Sequence, residues 1–490
     1  MTRKGRNCQY YSVLTILSFF LSLVFLLSFM SHFSILQMTL AKKQHHPPQT
    51  IISSSKDKLP IIYDPKLIVD VIFKGLKYPT NMAFLEPNDI LVLEKDNGMV
   101  QRIINGTLQP QPLLDVNVAN KKERGMLGIA VSKQHANMPT YVFLYFTESG
   151  SGKDGDDVCT KNYCKPGHDP LGNRLYRYEL IGNKLVNSKL LLDLPSTPGP
   201  AHNGGAIAIG PDNNVYIPLG DLLSGYNNKS SSTKAQNFEN GTYPDGRAGM
   251  LRITQDGKPV QENGTIGILD DKFPLNLYYA YGIRNSFGID FDPVTKKLWD
   301  TENGPEYGDE INLVNPGFNS GWMKVQGIWK PMVDPDPEID FTPGEILSNP
   351  LQSGTLLTLN GKGKYSPPEF TWKQTVGPTA IKFLNSDKYG KEYENDMFVG
   401  DVKYGNLYHF DLDSERKNLL ISNKSLADKV ADNLQENEET VFARGFGGIT
   451  DIEVGPDGYL YVAAIKAYVN DMHEGTIFRI LPKPNPSNIN

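Results

Sequence analysis

Three segments of this 490-residue chain crowd polar side chains into an otherwise apolar setting: PGPAHNGGAIAIGPDNNVYIPLGD, YYAYGIRNSFGIDFDP and LWDTENGPEYGDEINLVNPGFNSGW. In the first, His202 precedes Asn203-Gly204-Gly205 and a strand-like run, so it stands at a strand entrance where loops can expose it. A neutral imidazole accepts a proton near pH 7, and an acceptor on its other ring nitrogen orients it and stabilises the imidazolium. Asp221, ending the next strand-like run, could be that acceptor. The same two residue types also suit a surface-loop histidine and a turn-forming aspartate. In the second segment, Arg284 and Asn285 lie between Gly282 and Phe287, where short neighbours would let a planar ligand approach. An arginine there either stabilises developing oxyanion charge or makes a structural ion pair. In the third, Asn303-Gly304-Pro305 followed by Asp309 and Glu310 supplies carbonyls and carboxylates, the hard oxygen ligands of Ca²⁺. A plain turn before the strand DEINLV uses the same residues, and there is no EF-hand pattern.

Short alternating runs of β-branched and aromatic residues must position these groups, because no long segment beyond Pro60 keeps a helical period. The runs come in six similar pairs. They are NDILVLE with GMVQRI, TYVFLYF with NRLYRYEL, NNVYIPLGD with GMLRI, KKLWDTE with DEINLV, NDMFVGD with GNLYHFDL, and GYLYVAA with GTIFRI. Each pair reads as the inner and middle strand of one sheet. Repetition of this kind in an all-β chain implies blades packed in a ring, since a lone small sheet cannot bury both faces. A six-bladed β-propeller is therefore expected, with a β-sandwich as the competing fold. Uneven spacing puts insertions near Cys159, Ser230 and Asp334, the kind of loop that builds a binding face.

Ahead of this domain, MTRKGRN is followed by a run without Asp, Glu, Lys or Arg from Asn7 to Ala41. Its densest part, Val13 to Met30, approaches the roughly 20 residues that span a bilayer, and the basic flank keeps the N-terminus inside. Residues 1–41 thus read as a single membrane anchor, or as a cleaved signal with Thr39 and Ala41 near the cleavage point. Either way the rest is exported. Residues 42–59, rich in Pro and Ser, make a flexible linker; 60–483 form the propeller and 484–490 a tail. Sequons at Asn105, Asn228, Asn240, Asn263 and Asn423 agree with export. Cys159 and Cys164, in one polar loop, suggest a local disulfide; with only His168 nearby, zinc would lack a full ligand set. A net charge of −6 without long basic runs argues against a nucleic-acid partner.

The stretches ERGMLGIAV, AHNGGAIAIGPDNNVYIPLGD, GRAGMLRI, YGIRNSFGIDFDP, TENGPEYGDEINLVNPGFNSGW, FVGDVKYGNLYHFDL and GPDGYLYVAA occur in this order from about Pro79 to Leu481. In them the sequence resembles the soluble quinoprotein glucose dehydrogenases and the related aldose and sorbosone dehydrogenases. That resemblance implies a six-bladed propeller carrying pyrroloquinoline quinone (PQQ) with Ca²⁺, and oxidation of an aldose-type sugar at C1. It puts His202 in the place of the general base, Asp221 in that of its orienting carboxylate, and Arg284 in the catalytic set. Asn285, Asn303, Asp309 and Lys403 fall at cofactor-contacting positions, the Gly304 and Pro305 carbonyls at the calcium, and Glu123 near the sugar.

Two departures stand out. Where the glucose dehydrogenases carry a pair of arginines for the cofactor's carboxylates, FGGITDIEVGPDG offers Gly448 and Thr450, with Arg444 out of register. Ala201 precedes His202 where the glucose-oxidising members have an acid, which leaves the sugar open. No C-x-x-C-H haem motif is present, so electrons pass to a separate acceptor. The competing functions are a calcium-dependent lactonase on the same architecture and a propeller kept as a non-enzymatic binding module.

Overall fold

The structure, a computed structural model, describes residues 59–484 apart from 133–138, 156–158, 161–162, 165–168, 226–228, 263, 334–340, 348–355 and 467–473. The expected anchor, cleavage region and most of the linker lie outside the described residues, as do His168, Asn228 and Asn263. Among the described residues no helix is long and apolar enough to cross a membrane.

The fold is all-β and propeller-like. Six sheets of four to six strands each contain one of the six pairs of runs found in the sequence, as adjacent antiparallel strands. Their continuous burial explains the apolar runs: Asp89–Glu94 (DILVLE) and Val215–Leu219 (VYIPL) are covered on both faces by neighbouring sheets. One expectation needs correcting. The runs are not the inner and middle strands. Ahead of five of the pairs the chain supplies a further strand, Pro79–Glu86, Met126–Ser132, Ala208–Ile209, Ser286–Phe291 or Pro378–Phe383, and Gly448–Val454 does so in the last sheet. Residues from all six of these strands line a single cavity of about 650 Å³. They carry glycines and polar groups where strands converge, so their hydrophobic alternation is weak and their sequence signal poor.

Convergence of these strands is close. A Cβ on Gly128 would lie 1.8 Å from the Gly205 carbonyl oxygen, so glycine at 128 lets the second sheet abut the loop that carries His202. Within the cavity Lys382 Nζ lies 3.4 Å from Asp290 Oδ1 and 3.1 Å from Glu453 Oε2, tying three sheets together. Asp451 Oδ2 accepts the Met82 N–H at 2.8 Å and brings in a fourth. The early strand Leu67–Lys77 runs antiparallel beside the C-terminal strand Glu474–Pro482 in the last sheet, with Leu67 opposite Pro482, while Ile61–Ile62 before it pairs with Val441–Arg444 in the preceding sheet. The last sheet is thereby completed by a strand from the start of the domain.

Candidate active site

The loop PGPAHNGG reaches the site through a left-handed turn. His202 has φ 62°, a conformation sparsely occupied outside glycine and somewhat more accessible to histidine, and Gly204 and Gly205 follow at 63° and 144°. Such strain persists only where surrounding contacts fix it. Here the His202 N–H donates to Glu123 Oε2 at 2.6 Å, and Glu123 Oε2 also accepts from Asn285 Nδ2 at 3.1 Å. Asn285 Oδ1 in turn accepts the Gly204 N–H at 3.3 Å. Glu123, expected near the sugar, therefore clamps the base loop to the Arg284-Asn285 segment.

His202 Nδ1 and Asp221 Oδ1 are 2.5 Å apart, with both residues buried. Leu222 and Leu223 follow Asp221 with φ 53° and 58°, turning the chain back so that the Leu223 N–H reaches Asp221 Oδ1 at 2.8 Å. The other oxygen, Oδ2, accepts the Trp322 indole N–H at 2.7 Å. Asp221 is thus a well-anchored acceptor for the imidazole Nδ1–H, a partner that directs Nε2 to act as the proton-accepting nitrogen.

Arg284 is buried beside this pair. Its guanidinium lies over the Trp322 ring, 5.5 Å from the centroid, and Nη1 donates to the Asn303 carbonyl at 2.8 Å. The Asn303 N–H donates back to the Asn285 carbonyl at 2.8 Å, and Asn303 Nδ2 to the Pro378 carbonyl at 2.9 Å. Asp309 accepts three backbone N–H groups, from Gly304 at 2.8 Å, Val376 at 2.7 Å and Gly377 at 2.8 Å. It fastens the Asn303-Gly304-Pro305 loop to the loop beneath Lys403, and burial pushes its carboxyl up to about 6. Lys403 is exposed, with Nζ on the Thr375 carbonyl at 3.1 Å and Thr375 Oγ1 at 3.2 Å. It borders the Val376-Gly377 loop, apart from the His202 cluster. Arg444 sits on the outer strand Val441–Arg444, where it pairs with Glu438 and covers Tyr63, so it does not replace the arginines expected at Gly448 and Thr450.

Several groups went unnoticed in the sequence. Trp322 was visible only as the end of GFNSGW, and nothing in its spacing from Asp221 announces a contact between residues so far apart. Asp300 and Glu302 join Glu310, which the sequence offers only as an oxygen ligand, in a fully buried acidic cluster, with Glu302 and Glu310 cross-strand partners. Burial pushes all three upward, Asp300 to about 7, Glu310 to about 8 and Glu302 well above its ordinary range. Glu302 Oε1 accepts the Arg284 N–H at 2.7 Å, so this cluster underlies the arginine's backbone.

The sequence profile of the glucose/sorbosone dehydrogenases matches residues 76–334 and 349–476, spanning all of these groups. The chain belongs to that family. Two curated relatives are similar along most of their length. The aldose sugar dehydrogenase YliI of Escherichia coli (strain K12) is 24% identical over 420 residues, 85% of this chain and 93% of the relative. The quinoprotein glucose dehydrogenase B of Acinetobacter calcoaceticus is 26% identical over 347 residues, 68% of each chain. Among solved structures, the PQQ-bound form of the aldose sugar dehydrogenase from Streptomyces coelicolor matches with a TM-score of 0.55 at 21% identity, covering 86% of this chain and 100% of that one. At that identity the likeness speaks for the shared fold. Family membership makes this glucose/sorbosone dehydrogenase relative an oxidoreductase of the sugar-dehydrogenase class.

Proposed function

We propose that this protein oxidises an aldose-type sugar at C1 with calcium-bound PQQ, His202 acting as general base. The observation that carries the reading is the buried His202–Asp221 pair with Arg284 alongside it. His202 would take the C1 hydroxyl proton, and PQQ, when bound, would supply the two-electron acceptor for the C1 hydride, so that the aldose is oxidised to its lactone. Asp221 keeps Nδ1–H engaged, so Nε2 is the atom that receives the proton and the imidazolium is stabilised as it forms. Arg284 offers a fixed positive charge beside the site, and its hydrogen bond to the Asn303 carbonyl holds the neighbouring loop. Burial of this set limits the water that would otherwise compete for the proton.

The residues fit the reactive end of such a cofactor. Gly304 allows a tight loop, since a Cβ there would come within 2.0 Å of the Tyr307 carbonyl oxygen. Its carbonyl and that of Pro305 would hold Ca²⁺, and Arg284, Asn285 and Asn303 would face the quinone. The carboxylate end has Lys403 as its cation. At Gly448 a Cβ would meet the Val402 carbonyl oxygen at 2.8 Å and Val402 Cγ2 at 2.9 Å, so an arginine there has no room. Thr450 Oγ1 donates instead to the Ala463 carbonyl at 3.3 Å. That pair of positions is the observation favouring the second reading, a propeller retained as a binding module. A lactonase is less favoured, because the acids of the central cavity, Asp290, Asp451 and Glu453, gather on Lys382 and leave the cation role to a side chain.

In the same reading the six sheets close as six blades and the domain is exported, tethered by residues 1–41 or released by cleavage. Exposed sequons at Asn105 and Asn240 support export. Cys159 and Cys164 are cross-strand partners in a two-residue ladder, a backbone spacing compatible with a disulfide. Electrons leave to a separate acceptor. Incubating the protein with Ca²⁺ and PQQ, then screening aldoses for dye reduction, tests the function. Aldose-dependent reduction requiring both additions supports it, and inactivity at saturating PQQ and Ca²⁺ overturns it.

A further inference from the structure

We infer that Trp322 is the positioning residue of this site, holding Asp221 toward His202 through its indole N–H while its ring seats Arg284. The catalytic consequence rests on the reading above; the positional claim rests on geometry alone. Trp322 is fully buried, so it acts through its neighbours rather than on substrate. Its Nε1–H reaches Asp221 Oδ2 at 2.7 Å, while Oδ1 is shared by His202 Nδ1 at 2.5 Å and the Leu223 N–H at 2.8 Å. The carboxylate is therefore gripped at both oxygens. Losing the indole donor would leave one oxygen of a buried carboxylate without it and let the plane rotate away from the imidazole.

Trp322 is itself pinned. Its backbone N–H donates to the Gly282 carbonyl at 2.9 Å, and its backbone carbonyl accepts from Asn237 Nδ2 at 2.9 Å. Phe341 meets the ring edge-on, with centroids 5.4 Å apart. Gly282 lies two residues before Arg284, so the backbone that delivers the arginine is bonded to the residue whose ring receives its guanidinium. One side chain thus registers both the acceptor of the base pair and the site's buried cation. Only tryptophan combines a ring of this size with a donor at its edge: phenylalanine keeps a face for Arg284 and loses the N–H.

The test replaces Trp322 by Phe and, separately, by β-(3-benzothienyl)alanine, which keeps the bicyclic ring without the N–H. The full-length protein is labelled with ¹⁵N-histidine, and the downfield His202 Nδ1–H resonance expected of a short charge-assisted bond is followed without cofactor. Both variants should shift or broaden that signal and leave the other histidines in place. In the loaded enzyme kcat should fall roughly 10–100-fold with KM within about twofold, and Trp322→Phe should add little to Asp221→Asn, since coupled residues are not additive. An unmoved resonance in the benzothienyl variant overturns the assignment. If the resonance responds but the wild-type protein oxidises no sugar, the positional claim stands and the proposed function fails.

Discussion

His202 and Asp221, nineteen residues apart in sequence, meet at 2.5 Å through Nδ1 and Oδ1, and neither is open to solvent. A pair so placed has a chemical use or a structural one, and substitution separates the two. Asp221→Asn keeps the size and removes the charge that stabilises imidazolium. Sugar oxidation should drop, by less than on removing the base itself, while the melting temperature stays within a few degrees. Steady-state kinetics beside thermal unfolding checks this; equal rates in both proteins would make the pair structural.

Lys403 is exposed, and its ammonium hydrogen-bonds to Thr375 and lies over the Tyr404 ring at the surface, so Lys403→Ala should leave folding unchanged. Loss of one charge-assisted contact to a carboxylate should weaken PQQ roughly 10–100-fold. Titration calorimetry at saturating Ca²⁺ measures it, and unchanged affinity would remove Lys403 from the cofactor site.

Gly448 tests whether the missing arginine could be restored. With Val402 and Ile465 against the site of its Cβ, Gly448→Ala should destabilise the domain by about 1–3 kcal/mol, and Gly448→Arg by more. Denaturant unfolding gives the values. A neutral Gly448→Arg substitution would mean that the two strands can part to admit the larger side chain.

The buried acids set a pH dependence. Asp300 and Glu310, raised to about 7 and about 8, keep protons in the folded protein that the unfolded chain releases near pH 4. The folded state then binds more protons between about pH 4 and pH 8, so stability falls as pH rises through that window. The melting temperature should be higher at pH 5 than at pH 8, and Glu310→Gln should flatten the difference. A steeper fall in the variant would contradict this origin.

The sequence made legible whatever repeats locally. All six strand pairs lie where alternating runs placed them, and His202, Asp221, Arg284 and Asn285 are gathered as the polar segments suggested. Strand order within the sheets was harder, because inner strands such as GITDIEV and SFGIDF trade apolar alternation for glycine and acids that face the central cavity. Contacts between distant segments were not legible at all. Trp322 to Asp221, Glu123 to the His202 N–H and Asp309 to the Val376-Gly377 loop depend on how the segments beyond the strand ends are brought together in the folded domain, and no spacing rule spans those intervals. The buried acidic cluster was hidden for a related reason: LWDTE and DEINLV read as strands with a polar edge, whereas both faces are covered.

The most direct measurement is a single turnover. The wild-type protein and His202→Gln are each loaded with Ca²⁺ and PQQ, mixed with an aldose selected by the dye screen, and followed by quinone absorbance. Glutamine keeps the size and polarity of the side chain and cannot serve as the base. The account predicts rapid aldose-dependent bleaching in the wild type and a rate about 10²–10⁴ lower in the variant, with cofactor affinity little changed. Bleaching of both proteins at the same rate would contradict it.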